Sequence, residues 1–135
     1  MTNFDIVTKD DGIVVISGLP SADEAHMTAV KAEKERWEQI RRGVESDQFF
    51  EKAMKEITES IIFSSKAGSN SASVSGYGFT GSPFRAEGYE KASVIKDIIQ
   101  NQIFPILAIK GYSCRVEQKS FCRQVGYYFN IYIDF

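Results

Sequence analysis

Gly76-Tyr77-Gly78-Phe79-Thr80-Gly81 has the spacing G-x-G-x-x-G, with Ser82 and Arg85 close behind. Glycines lack the Cβ that keeps a ligand away from the backbone, so such a loop can turn its amides onto a phosphate while a hydroxyl and a guanidinium complete the contact. In a dinucleotide-binding enzyme the helix begins inside this motif, and the acid that grips the ribose ends the next strand about twenty residues on. Here Asp97 has the spacing but falls within a helical pattern. The motif therefore does not spell a dinucleotide enzyme. What it leaves is an anion or nucleotide contact at Gly76, Gly78, Gly81, Ser82 and Arg85, beside the plainer role of turning the chain from sheet to helix.

The remaining reactive residue types form no constellation. His26 is the single histidine and sits near the start of a charged helix, with no Cys or carboxylate cluster around it to suggest a metal. Cys114 and Cys122 match neither a CxxC redox pair nor a zinc knuckle and read as thiols. Ser75 and Ser82 lack the flanks of a nucleophile elbow. Asp10 and Asp11 belong to a turn, and Glu56 and Glu59 to a solvated helix face. The expectation is a chain with no catalytic residues, metal or cofactor.

Binding surfaces are easier to find. In the closing run Tyr127, Phe129, Ile131, Ile133 and Phe135 alternate with Tyr128, Asn130, Tyr132 and Asp134, so Tyr128 and Tyr132 point away from the apolar set. Arg115, Lys119 and Arg123 lie on or near the neighbouring strand, in the outline of a base-stacking platform. No RNA-binding motif accompanies them, and a protein contact is the favoured reading over nucleic acid. Trp37, with Ile40 and Arg41 close by, has the composition of an interface anchor, and with Val30 it forms a thin apolar stripe whose sparse company predicts self-association.

These residues need elements to hold them. Phe4 to Thr8 and Ile13 to Ser17 flank Asp10-Asp11-Gly12 and predict a hairpin. Ser21 and Glu24 form a capping box that opens a helix from about Ala22 to Arg42, closed by Gly43. Ser46 caps a second helix, Asp47 to about Lys66, whose core face carries Phe50, Met54, Ile57 and Ile61. A strand near Ala72 to Ser75 enters the glycine loop. Ser82-Pro83 opens a third helix running to Lys110, bent at Pro105, with Ile98, Ile99, Gln102 and Ile106 inward. A hairpin of Tyr112 to Gln118 and Tyr127 to Phe135 finishes the chain. The predicted fold is a single α+β domain of two layers, an antiparallel-rich sheet built from the N- and C-terminal hairpins under two to three long helices.

At 135 residues, 43% hydrophobic and 25% charged, the chain has the profile of an ordinary globular domain. A net charge of -2, divided as nine basic and thirteen acidic residues up to Ala67 and seven basic and five acidic beyond, creates no field for nucleic acid or an anionic membrane. No apolar run approaches a membrane span and no leader pattern opens the chain, so a cytosolic location is expected. The order helix, strand, bent helix, Gly111-Tyr112 and aromatic hairpin resembles the small α+β proteins that crowd tailed-phage genomes. That resemblance covers about Ala22 to Phe135, is one of pattern, and carries no site residues across. It implies a viral accessory or virion role. The favoured reading of the chain is a non-enzymatic accessory protein in the host cytosol that binds and inhibits a host or defence component, by protein contact or by capture of a phosphorylated ligand. The alternatives are a virion structural subunit and a small nucleotide-processing enzyme. Deleting Asn130 to Phe135 removes apolar side chains each contributing about 1.5–3 kcal/mol on burial, against a total stability of about 5–15 kcal/mol. Circular dichroism of the truncated chain is expected to show no cooperative melt.

Overall fold

The computed structural model describes residues 5–8, 14–77 and 81–135. They divide into two compact units, Met1–Arg36 and Trp37–Phe135, whose boundary falls inside the first helix. Within the first unit, β1 (Asp5–Thr8) and β2 (Val14–Ser17) pair antiparallel, with Asp5 opposite Ser17 and Thr8 opposite Val14. The expected hairpin pairing is present, while its Asp10-Asp11-Gly12 turn lies outside the described residues. This ribbon is a sheet of its own. The expectation that both hairpins share one sheet is corrected.

Helix α1 (Ala22–Ser46) opens with the capping box: the Glu24 amide donates to Ser21 Oγ at 3.1 Å and the Ser21 amide to Glu24 Oε2 at 3.3 Å. It does not stop at Gly43. The helix runs on to Ser46, and the break comes at Gln48, held left-handed at φ 58° before α2 (Phe49–Lys66). Val44 and Phe49 flank that break and both are buried. Burial of these two side chains, rather than the local preference of Gly43 or Ser46, sets where the chain turns.

The second unit holds one antiparallel sheet. Its axis is the last strand, β6 (Tyr127–Asp134), which pairs along its whole length with β5 (Ser113–Ser120) on one side. On the other side it pairs with two separate strands, β3 (Ser71–Ser75) and the two-residue β4 (Arg85–Ala86). The helices of this unit pack against one face. Phe129, Ile131 and Ile133 of β6 are wholly buried there, against Ala53 and Ile57 of α2 and the third helical segment. Phe84 completes this core, its ring edge-on to Phe49 at 6.1 Å.

That third helical segment differs from expectation in two respects. It begins at Tyr89, after Gly88, because the chain first makes β4; Ser82-Pro83 do not start it. It also changes form on the way: α3 (Tyr89–Ile98) passes through a π-helical turn, Ile99–Ile103, into α4 (Phe104–Ile109). Pro105 has no amide to give Asn101, and the wider turn absorbs the loss, the Phe104 amide reaching back five residues to the Ile99 carbonyl. A π turn holds about one residue more than an α turn. The buried face therefore advances by one position, to Ile103 and Leu107, and the expected Gln102 and Ile106 face outward.

Among the described residues of this unit, one buried polar group is poorly placed. Glu56 of α2 has a buried Oε2 with no hydrogen-bond partner, and burial, reinforced by Glu59, pushes its pKa up. A raised folded-state pKa means that the folded chain holds the extra proton, so this carboxyl costs stability progressively as pH rises from the ordinary glutamate range. Glu56→Gln is expected to raise the melting temperature at pH 7 and to leave it unchanged at pH 3.5. Melting curves at the two pH values check both halves.

Candidate functional site: the open face of the sheet

The glycine loop is an interruption of one edge strand. Gly76 leaves β3 with its amide bonded to the Phe129 carbonyl at 3.0 Å, and the chain returns where the Phe129 amide donates to the Phe84 carbonyl, also at 3.0 Å. One residue of β6 thus closes both ends of the excursion. A Cβ on Gly76 would stand 2.1 Å from the Phe84 carbonyl oxygen, so the neck of the loop admits no side chain. Gly76 is explained by this close approach, and its amide is committed within the sheet. Gly78 lies outside the described residues.

The loop and the strand ends set aromatic rings on the face that the helices leave open. Alternation along β6 sends Tyr128, Asn130 and Tyr132 to that face, beside Ser71, Ser73 and Ser75 of β3 and Arg115, Glu117 and Lys119 of β5. Tyr77 from the loop, Phe121 from beyond β5, and Tyr128 form a cluster with ring centroids 5.0–6.2 Å apart. Tyr77 remains 65% exposed within it. The Arg85 guanidinium carbon lies 4.5 Å from the Phe121 centroid, and that of Arg115 lies 4.0 Å from the Tyr132 centroid. Arg115 also meets Glu117 at 2.8 Å. A shallow depression of about 440 Å³ continues the surface past Tyr132 and Asp134 to the exposed Phe63 of α2.

Gly81, Ser82 and Arg85 line a different hollow, a cleft of about 200 Å³ that the first turns of α2 and α3 also border, with Lys52 and Lys91. Neither Gln48 nor Gly88, the residues that open the two helices, supplies a side-chain cap. Asp47 and Glu87 share the cleft and offset its cations. The backbone amide of Glu87 and, beyond it, Lys91 at 3.2 Å hold the Glu87 carboxyl below the usual range, although burial pushes the other way. Ser82 is buried and its Oγ accepts from the Phe84 amide at 3.2 Å. The candidate ligand residues are therefore divided: Gly76 is in the neck, while Gly81, Ser82 and Arg85 line the cleft, with the Arg85 guanidinium turned over the Phe121 ring.

The helical candidates divide as well. Trp37 and Ile40 are half-buried against the core of the second unit, and Arg41 binds Asp97 of α3 at 2.5 Å. Hydrogen bonds from Arg41 and then Asn101 hold the Asp97 carboxyl below its ordinary value. Val30 alone of that stripe stays well exposed, and His26 is exposed on the same helix. Burial, and after it Asp134, raises the Cys114 thiol pKa, which makes it a poor nucleophile at neutral pH. Cys122 is exposed, and both thiols are free. Among the described residues no three His, Cys, Asp or Glu side chains converge on a metal position, and no helix is long and apolar enough to cross a membrane.

Sequence reasoning missed Tyr77 and Phe121 as partners of Tyr128, and Lys52 and Lys91 as cleft residues. One aromatic in the glycine-rich loop and one in a polar turn were the available signal for the first pair. The second pair carries no signal, since lysines on helix surfaces are commonplace. Comparison with family models, with curated proteins and with solved structures finds no match to this chain. Gly76→Ala is expected to cost about 1–3 kcal/mol, because the Phe84 carbonyl must move and a sheet bond to Phe129 strains with it. Urea denaturation of the variant measures that loss.

Proposed function

We propose that this chain is a non-enzymatic binding protein that recognises a protein partner through the open face of its C-terminal sheet. The observation that carries the reading is the Tyr77, Phe121 and Tyr128 cluster, flanked by two ring-stacked arginines, on the face of the sheet opposite the helices of this unit. Tyr and Arg are the residue types that concentrate binding energy at interfaces, and rings held by one another lose little further freedom on contact. The resemblance to phage accessory proteins supports a host or defence component as that partner, met in the host cytosol. A second reading has one specific observation behind it: two helix N-termini without a side-chain cap from Gln48 or Gly88, with Lys52 and Lys91 at one cleft, favour a small phosphorylated ligand there. Lys91 would have to exchange Glu87 for that ligand.

Affinity capture from host cells with the full chain, and with Phe121→Ser and Tyr128→Ser as matched controls, tests the first reading. A partner retained by the parent chain and weakened at least about tenfold by each substitution is expected, since one hot-spot ring is worth about 2 kcal/mol or more. Retention that neither change alters excludes the open face. Loss with Lys52→Ala and Lys91→Ala instead, accompanied by a thermal shift with phosphorylated ligands, moves the function to the cleft.

A further inference from the structure

The outer edge of β5 is eight residues long, contains no proline, and pairs with no strand among the described residues. Such an edge presents a row of unused amides and carbonyls to any strand that matches it. Which residues present them follows from the hydrogen bonds across β6. Phe129 spends both its amide and its carbonyl on the β3 and β4 side. Asn130 and Tyr132 therefore face β5, opposite Glu117 and Arg115. The Phe121 amide, bonded inward to the Gly126 carbonyl, confirms the same alternation at the hairpin end. Cys114, Val116, Gln118 and Ser120 accordingly turn their backbone groups outward.

We propose that this edge pairs antiparallel with the same edge of a second copy, two-fold about Val116. In that register Arg115 stands opposite the partner's Glu117 and Glu117 opposite the partner's Arg115, on the open face. Val116 meets the partner's Val116 on the core side, where it is half-buried in the single chain. Because Val116 is an outward residue, the central pair is a hydrogen-bonded one. Neighbouring registers are worse. A two-fold at Arg115 sets arginine against arginine. One at Glu117 sets glutamate against glutamate and Arg115 against the partner's Lys119. A two-fold at Gln118 sets Glu117 against the partner's Lys119 but overlaps only residues 116–120 of the strand. Charge complementarity along the strand thus selects a second copy, and one register of it. The pairing joins two four-stranded sheets into one, with both open faces on the same side and the two Arg115–Tyr132 stacks adjacent at the centre. The dimer does not depend on what the open face binds.

Sedimentation of the full chain at micromolar concentration tests the proposal, with circular dichroism to show each variant folded. The parent chain is expected to be a dimer. Arg115→Glu alone and Glu117→Arg alone are each expected to be monomers, because each places like charges across the two-fold. An equimolar mixture of the two variants is expected to recover a dimer, since only the mixed pair faces opposite charges at both positions. The pair that Arg115 and Glu117 make within one chain gives no such recovery. Val116→Pro deletes an outward amide without removing a ladder bond to β6, and it is expected to be a folded monomer; this reads the edge even if a charge variant fails to fold. A monomeric parent chain, a folded Val116→Pro variant that still dimerises, or a mixture of folded charge variants that stays monomeric overturns the proposal.

Discussion

Every other strand of the C-terminal sheet hydrogen-bonds to β6, and the architecture of the second unit depends on that sharing. The strand follows β3, β4 and β5 in the sequence, so all three are synthesised before the element that joins them. Its pairings with β3 and β4 span long stretches of sequence, and their loop-closure entropy must be met before the sheet gains anything. What offsets that cost is concentrated in three side chains, Phe129, Ile131 and Ile133, each wholly buried under the helices. One strand supplies both the ladder and the centre of the core.

The same strand decides what lies on the other face. Because alternation is strict, burying Phe129 and Ile131 obliges Tyr128, Asn130 and Tyr132 to face away. Phe129 adds a second constraint through its backbone, since its amide and carbonyl close the neck of the glycine loop at Phe84 and Gly76. The loop then delivers Tyr77 above Tyr128, where Phe121 arrives from the far end of β5. An aromatic surface thus arises from core burial and one tight backbone approach, with no helix required to hold it. The arginines Arg85 and Arg115 stack on that surface instead of ranging freely, which keeps their charge within a defined position on the face.

Much of this was legible in the sequence where a local pattern and a buried face agree. The β6 alternation, the Ser21 and Glu24 capping box, the N-terminal hairpin pairing and the α+β class all rest on such agreement. Expectation departed from the structure where tertiary burial outweighed a local signal. Gly43 looked like a helix stop, yet Val44 had to be buried one residue later and the helix continued. Ser82-Pro83 looked like a helix start, yet Phe84 and Ala86 were drawn into the sheet core first. Pro105 predicted a bend in the helix, and a lost hydrogen bond does not by itself announce a π turn in that helix. The π turn widened it, and the buried register moved from Ile106 to Leu107. For the site, the glycine spacing pointed to a phosphate loop, whereas the residue with the clearest structural need, Gly76, serves a backbone crossing. The aromatic face was half visible, in Tyr128 and Tyr132. Its other members come from turns whose position depends on β6 being in place.

Amide hydrogen exchange followed by NMR at low protein concentration tests most directly the claim that β6 organises the sheet. The account predicts that the amides from Phe129 through Ile133 of β6 are all among the slowest in the chain, because both edges of the strand are paired. The outward amides of Cys114, Val116 and Gln118 on β5 are predicted to exchange quickly under the same conditions, while the inward amides between them are protected. Exchange of the β6 amides at the rate of the outer β5 amides would contradict the account.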